Sequence, residues 1–196
     1  MEQKRWMTRT GQWAFALVAL VLSASATALV PNAAMLANAC AGCHGTYGAS
    51  AGPSMPSLAG QTKDAIVDAM KAFRSGDRPS TIMGRLAKGY TDADFAAMGD
   101  FFSAQKLHIT QQAVDPNRVA KGASLHSAGC AKCHTENGRT STDETPAMAS
   151  QWLPYLQMQM ALYVQGKRKT TGMTEKIKAL SADDLESLLH FYASVK

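Results

Sequence analysis

The sequence contains the motif Cys-x-x-Cys-His twice, as Cys40-Ala41-Gly42-Cys43-His44 and as Cys130-Ala131-Lys132-Cys133-His134. Two thiols with this spacing can each add to one vinyl group of the same haem, and the next histidine can bind its iron. We therefore interpret the four cysteines as attachment points for two covalent haem c groups. His44 and His134 are the predicted iron ligands on one side of each haem.

Three other uses of paired cysteines fit this sequence less well. A zinc ribbon places its two pairs ~15–20 residues apart, whereas here the pairs are 90 residues apart. A thioredoxin-like redox site follows a β-strand within a βαβ pattern, which the sequence does not show. A disulfide framework in an exported protein would give the two histidines no role. Haem attachment uses all four cysteines and both histidines.

The N-terminal residues have the features of a secretory signal peptide. Lys4, Arg5 and Arg9 precede an apolar run at residues 13–22, and small residues follow up to Ala28. This order is typical of a signal peptide, and the apolar run is shorter than the ~20 residues of a membrane-spanning helix. We predict cleavage after Ala28 and a periplasmic protein without a membrane span, with an uncleaved anchor as the alternative.

The charge of the chain gives little support to nucleic-acid binding. The full sequence has a formal net charge of +5, which falls to +3 when residues 1–28 are removed. Two haems would add four propionates, which would bring the protein close to neutral. We therefore expect no nucleic acid among the partners.

The second half of the sequence repeats the first at an offset of 90 residues without a gap. The repeated positions extend well beyond the cysteines and include Pro56/Pro146, Gln61/Gln151, Met70/Met160, Gly76/Gly166, Arg78/Arg168, Met83/Met173 and Asp94/Asp184. A repeat of this kind indicates tandem duplication of one domain. We predict a first haem domain at residues 29–110 and a second at residues 111–196.

Hydrophobic periodicity predicts an all-α fold of a few helices around each haem. Residues 32–39 and 118–126 are predicted helices that lead into the cysteine motifs, and later helices stop at Gly76 and Gly166. Each half closes with an amphipathic helix that begins at a hydroxyl cap. Pro56 and Pro146 lie in the intervening loops, where they either fix a carbonyl acceptor for the haem-binding histidine or only stiffen a turn.

The ligand on the other side of each iron decides the class of function, because an open iron binds small molecules and a closed one transfers electrons. A ligand shared by both domains should recur at the repeat offset. Met70 and Met160 lie on apolar helix faces, as core methionines do. Met83 and Met173 lie between the second and last helices, in segments that we expect to be loops, and are the predicted ligands. The rival ligands are His108, His126 and His190, which have no repeated partner.

Taken together, these residues resemble tandem class I cytochromes c. Four segments resemble one family more closely: residues 40–45 (CAGCHG), 80–90 (STIMGRLAKGY), 151–157 (QWLPYLQ) and 190–194 (HFYAS). They are similar to the dihaem cytochrome subunit of flavocytochrome c sulfide dehydrogenase. The resemblance implies a periplasmic heterodimer in which a flavoprotein (FAD) subunit oxidises sulfide. This chain would have no catalysis of its own and would pass the electrons to an acceptor such as another cytochrome, with the first haem facing the flavin.

Two alternatives to this function remain at the level of sequence. Dihaem cytochromes of the c4 type share the duplication and the Leu-Ala-Gly-Gln loop at residues 58–61, and they deliver electrons to terminal oxidases without a flavin subunit. The second copy of that loop departs from the pattern as Met-Ala-Ser-Gln at residues 148–151. A dihaem peroxidase is the other alternative, but it needs an open iron, and the paired Met83 and Met173 argue against one.

Overall fold

The computed structural model describes residues 32–142, 145–168 and 171–196, together with the backbone but not the side chain of residue 171. The predicted signal peptide at residues 1–28 lies outside the described residues. All regular structure in these ranges is helical, and they contain no β-strand. The prediction of an all-α fold is therefore confirmed.

The first half contains five α-helices and two short 3₁₀ turns among its described residues. The helices are α1 (Ala33–Asn38), α2 (Ala41–His44), α3 (Lys63–Ser75), α4 (Met83–Leu86) and α5 (Asp92–Ser103). The 3₁₀ turns are Thr46–Gly48 and Ala87–Gly89. Helix α1 begins where the Asn32 side chain accepts from the backbone N–H of Met35, which is an N-cap. Helix α3 ends at Gly76, whose φ of 90° reverses the chain as predicted.

The second half repeats the order of the five α-helices, and two of its helices are longer than their equivalents by four residues or more. Its helices are α6 (Pro116–Gly129), α7 (Thr135–Gly138), α8 (Leu153–Val164), α9 (Thr171–Lys178) and α10 (Ala182–Ser194). Asp115 caps α6, with Pro116 in the first turn, where its missing N–H costs nothing. Gly166, with φ of 66°, follows α8 at the position equivalent to Gly76.

The closing helices of the two halves begin in the same way. Thr91 accepts from the N–H of Asp94, and the Asp94 carboxylate accepts from the N–H of Thr91. Ser181 and Asp184 make the same reciprocal pair at the start of α10. These capping boxes satisfy two otherwise unpaired donors at each helix start, and both were predicted.

Each half has its own apolar core. In the first half, α1, α3 and α5 enclose the buried side chains of Leu36, Ala37, Ile66, Met98 and Phe102. A second cluster of Met70, Ala87 and Phe95 lies beside α4. In the second half, α10 packs against α6 and α8 through the buried side chains of Leu156, Leu188, Leu189, Phe191, Tyr192 and Ala193.

The segment between α5 and α6 is held against the second half. The Gln112 amide nitrogen donates to the Gln151 carbonyl at 2.8 Å, and its oxygen accepts from the Leu153 N–H at 2.8 Å. The Thr110 N–H donates to the Ser150 hydroxyl at 2.5 Å. This segment is therefore ordered by specific polar contacts. Within the described residues, no helix combines the length and the apolar character needed to cross a bilayer.

Candidate functional site

The first cysteine motif lies at the end of α1 and along α2. Cys40 precedes α2, while Cys43 and His44 are part of it, so one helical turn presents both thiols and the imidazole. The His44 side chain is only 6% exposed. Its Nδ1 lies 2.8 Å from the Pro56 carbonyl oxygen. Because a carbonyl can only accept, Nδ1 carries the proton and Nε2 keeps a lone pair for a metal.

That contact decides between the two interpretations of Pro56. Its carbonyl is the hydrogen-bond acceptor for the histidine of the first motif. A metal-bound histidine normally donates its outer N–H in this way, which fixes the tautomer and the orientation of the ring. The acceptor role is therefore confirmed for Pro56.

The second motif has a different environment around its histidine. His134 is also 6% exposed, and its Nε2 is fully buried without a hydrogen-bond partner. Within the described residues, no hydrogen bond joins its ring to the carbonyl of Pro146. A buried nitrogen without a partner costs about 1–3 kcal/mol. A bond to haem iron would remove this cost. The unpaired Nε2 of His134 is therefore suited to binding the iron of a haem.

Burial keeps both histidines neutral. It lowers the pKa of His44, against a smaller opposing effect of the bond to Pro56. It also lowers the pKa of His134, and the neighbouring His126 adds to the effect. Neutral imidazole is the form that binds a metal. Both side chains are therefore available as ligands at neutral pH.

The four cysteines form no disulfide with one another and have two kinds of environment. Cys40 and Cys130 are half-buried, whereas Cys43 and Cys133 are exposed. Burial raises the pKa of the Cys40 thiol, and Cys43 raises it further. Burial likewise raises the pKa of the Cys130 thiol. Each motif therefore presents one thiol against the core and one at the surface, as two attachment points along a haem edge would need.

The predicted methionine ligands lie in helices and not in loops. Met83 is the first residue of the four-residue helix α4, and Met173 is the third residue of α9. Both are half-buried. Met83 packs against the cluster of Met70, Ala87 and Phe95. The expected loop positions were wrong, and the roles of Met83 and Met173 as iron ligands stay predictions.

Apolar side chains stand exposed around these candidate ligands. Ile82 and Leu86, on either side of Met83, are 46% and 51% exposed, and Tyr47, three residues after His44, is 59% exposed. Exposed apolar groups beside a site mark a surface that a ligand covers. The residues present in the first half therefore fit a large apolar group such as haem.

Two of the rival histidines have hydrogen-bond partners of their own. His126 is buried, and its Nδ1 lies 2.9 Å from the Tyr192 hydroxyl. His190 accepts from the N–H of Asp115 through Nδ1 at 3.0 Å. The third, His108, is half-buried in the segment between α5 and α6. His126 and His190 thus each make a hydrogen bond that joins α6, or its capping residue, to α10.

The His126–Tyr192 pair was missed by the sequence reasoning, although the repeat contains its signal. The equivalent positions in the first half are Leu36 and Phe102, which pack together in the apolar core. Both positions change from apolar to hydrogen-bonding in the second half. A paired change of this kind indicates a contact.

Comparison with protein families places both halves in one family. The model of the family described as Cytochrome c matches residues 32–112 and again residues 119–196. Both matches contain one complete Cys-x-x-Cys-His motif.

Three relatives bear on the choice between functions. Cytochrome c4 of Pseudomonas aeruginosa is 29% identical over 181 residues, covering 85% of this chain and 89% of the relative. The thiosulfate dehydrogenase electron acceptor of Stutzerimonas stutzeri is 34% identical over 173 residues, covering 81% of this chain and 80% of the relative. The cytochrome subunit of sulfide dehydrogenase of Chlorobaculum tepidum is 43% identical over 68 residues, covering 35% and 61%.

Among solved structures, the fold is similar to that of cytochrome c4 of Acidithiobacillus ferrooxidans. The TM-score is 0.73 at 24% sequence identity, and the match covers 81% of this chain and 99% of that one. The likeness therefore includes both halves and their arrangement in the described part of the chain.

Proposed function

This chain belongs to the cytochrome c family and carries two covalently bound haem c groups, and we propose that it accepts electrons from a flavoprotein sulfide dehydrogenase subunit. It is an electron-transfer protein related to the c4 cytochromes. In the proposal, the flavoprotein (FAD) subunit and this chain form a heterodimer. The chain passes single electrons on to an acceptor such as another cytochrome.

Each residue of the two motifs has one task in this function. Cys40 and Cys43 attach the first haem and Cys130 and Cys133 the second, so neither cofactor can leave on reduction. When bound, haem c supplies one-electron exchange between ferric and ferrous iron.

The side chains that would bind the two irons determine what chemistry a bound haem could supply. His44 and His134 are held neutral by burial, and the Pro56 carbonyl orients the ring of His44. Met83 and Met173 are the proposed second ligands. With a side chain bound on each side, a haem iron held here would exchange electrons and would have no open position for oxygen, peroxide or substrates.

The observation that carries the choice of partner is the similarity to the sulfide dehydrogenase cytochrome subunit. Its 43% identity is higher than that of the c4 cytochrome and the thiosulfate dehydrogenase acceptor, although it covers only 68 residues. The four segments that resemble the flavocytochrome family, at residues 40–45, 80–90, 151–157 and 190–194, support the same partner.

The proposed location is the periplasm, reached through a signal peptide at residues 1–28. Haem attachment to Cys-x-x-Cys-His and the basic and apolar N-terminal segments support export. N-terminal sequencing of the protein from a periplasmic extract should begin at residue 29. A protein that retains residues 1–28 would contradict cleavage, and recovery in the cytoplasm would contradict export.

Purification of the native protein from its own cells tests the partner. We expect a flavoprotein to co-purify in equal amount, and addition of sulfide to reduce both haems of the complex. Chain separated from the flavoprotein should not be reduced by sulfide at the same rate. If no flavin co-purifies and added sulfide leaves the haems oxidised, the heterodimer is wrong.

A second candidate function is that of a free relay that accepts electrons from another sulfur-oxidising enzyme. It is favoured by 34% identity to a thiosulfate dehydrogenase electron acceptor over most of both chains. In that case the chain should purify alone, and a thiosulfate dehydrogenase should reduce it in the presence of thiosulfate. The flavin spectrum and the choice of donor distinguish the two candidates.

A further inference from the structure

Two equivalent glutamines join the halves by reciprocal hydrogen bonds. The Gln151 side chain accepts from the Ser57 N–H at 3.0 Å and donates to the Ser57 carbonyl at 2.8 Å. The Gln61 side chain accepts from the Ala147 N–H at 3.0 Å and donates to the Ala147 carbonyl at 2.9 Å. Ser57 and Ala147 are themselves equivalent in the repeat. The two side-chain amides thus hold the halves together by equivalent bonds, each made from one half to the other.

This glutamine clamp, consisting of Gln61, Gln151, Ser57 and Ala147, is shielded from water. All four residues are buried. In such surroundings a backbone N–H or carbonyl that loses its partner is left unsatisfied, at a cost of about 1–3 kcal/mol. The glutamines therefore hold the two backbone segments firmly in place.

The Gln151 arm of the clamp is directly connected to a haem ligand. The N–H of Ser57 and the carbonyl of Pro56 belong to the same peptide group. That carbonyl accepts from Nδ1 of His44 at 2.8 Å, while the N–H donates to Gln151 at 3.0 Å. A continuous chain of hydrogen bonds therefore runs from the second half, through one peptide, to the histidine of the first half.

Hydrogen bonds arranged in a chain strengthen one another. Donation by the Ser57 N–H draws electron density toward the Pro56 carbonyl oxygen, which then accepts more strongly from His44. A stronger bond at the outer N–H makes the imidazole a more basic ligand. A more basic ligand favours ferric over ferrous iron, which lowers the reduction potential of that haem.

We propose that Gln151 of the second half is a positioning residue for the first haem, which it acts on through the Pro56–Ser57 peptide and His44. The two halves are then coupled electronically as well as mechanically. The inference rests on the proposed function only in taking His44 as an iron ligand. It does not depend on which partner supplies the electrons.

Gln61 provides a matched control within the same clamp. Its oxygen accepts from the Ala147 N–H, which shares a peptide group with the Pro146 carbonyl, and its nitrogen donates to the Ala147 carbonyl. Within the described residues, the Pro146 carbonyl has no hydrogen bond to the ring of His134. The Gln61 oxygen also accepts from the Ser141 hydroxyl at 3.2 Å. Loss of Gln61 should therefore weaken the contact between the halves at least as much as loss of Gln151, without changing either histidine.

The experiment compares Gln151→Met with Gln61→Met, because methionine keeps the length of the side chain and removes the amide. Reduction of each haem in the dihaem protein is followed by NMR, which resolves the haem methyl signals of the two domains. In Gln151→Met, the equilibrium constant for reduction of the first haem should increase by about threefold to tenfold. This corresponds to a rise of at most ~59 mV in its reduction potential, since one electron is transferred. In Gln61→Met, both potentials should stay close to wild type.

Equal shifts in the two variants, or a shift at the second haem in Gln151→Met, would overturn the proposal. Gln151→Glu adds a further test, because its carboxyl oxygen can still accept from Ser57. Its first haem should have a potential equal to or below that of wild type, and a raised potential would contradict the proposed chain.

A measurement on the unmodified protein covers the case in which the methionine variants do not fold. The Nδ1 proton of His44 should exchange with solvent at least tenfold more slowly than that of His134, because only His44 is part of the chain. Equal exchange rates would contradict the proposal. These measurements do not depend on flavoprotein binding. They would therefore test the proposal even if the partner assignment were wrong.

Discussion

His44 and His134 occupy equivalent positions in the repeat but have different neighbours. His44 donates through Nδ1 to Pro56, whereas the buried Nε2 of His134 has no partner. Sequence alone predicted both histidines, because their role follows from the adjacent cysteines. The sequence also predicted an equivalent carbonyl acceptor for each histidine, because Pro56 and Pro146 occupy equivalent positions in the repeat. The motif itself does not encode this difference between the two sites.

Replacing Met83 with alanine tests the proposed ligand of the first iron. The haem should stay attached through Cys40 and Cys43 but lose one ligand, which lowers its reduction potential and opens the iron to carbon monoxide. Absorbance spectra of the reduced protein, with and without carbon monoxide, measure this directly. Met70→Leu is the control, because Met70 is a buried core residue in the same cluster. A closed low-spin spectrum in Met83→Ala would mean that another residue binds the iron.

The His126–Tyr192 pair predicts strong coupling between two substitutions. Tyr192→Phe leaves the Nδ1 of His126 without its partner at 2.9 Å, and should cost about 1–3 kcal/mol in the free energy of unfolding. Replacing both residues, as His126→Leu with Tyr192→Phe, recreates the apolar pair found in the first half as Leu36 and Phe102. The double variant should therefore lose at least ~1 kcal/mol less than the sum of the single variants. Denaturant unfolding measures all three, and additive losses would contradict the coupling.

At the scale of elements, the helices with a local start signal were well predicted. Thr91 and Ser181 begin α5 and α10 by capping boxes that are readable in the sequence. Helix α4 was not predicted because it is only four residues long. Such a short helix has too few turns to give a periodic pattern, and its stability comes from the core against which Met83 packs. The loop predicted around Met173 was wrong for a related reason, since α9 has only eight residues.

The crossing of α6 and α10 depends on the absence of a side chain at Gly122. A Cβ at this position would lie 2.1 Å from the Ser187 carbonyl oxygen and 2.7 Å from the Cβ of Phe191. Gly122→Ala should therefore force the helices apart and cost about 1–3 kcal/mol. Gly129→Ala in the same helix is the control, because a Cβ there meets nothing within 4 Å.

Alanine at the control position should be neutral or stabilise the helix by up to ~1 kcal/mol. Thermal unfolding followed by circular dichroism compares both variants with wild type. The close crossing would be refuted if Gly122→Ala were as stable as Gly129→Ala.

At the scale of the whole molecule, the duplication was readable from the sequence, but the contact between its copies was not. The sequence identified Gln61 and Gln151 only as equivalent positions of the repeat and gave no sign that they join its two copies. The Trp152 indole N–H donates across the halves to the Ser50 carbonyl at 3.1 Å. Arg78 likewise donates to the Tyr155 hydroxyl and to the side-chain amide oxygen of Gln159 in the second half. Periodicity reports which face of a helix is apolar, and polar contacts between two domains leave no such pattern.

The glutamine clamp predicts that the two halves unfold together. Wild-type dihaem protein should show one calorimetric transition, because unfolding either half alone leaves buried peptide groups of the other without partners. The double variant Gln61→Met with Gln151→Met removes four of these bonds, so its halves should unfold in two separate transitions. Gln157→Met is the control, because its bond to Glu186 lies within the second half, and it should keep a single transition. If the double variant also unfolded in one transition, with no greater loss of Tm than the control, the clamp would not be what couples the two halves.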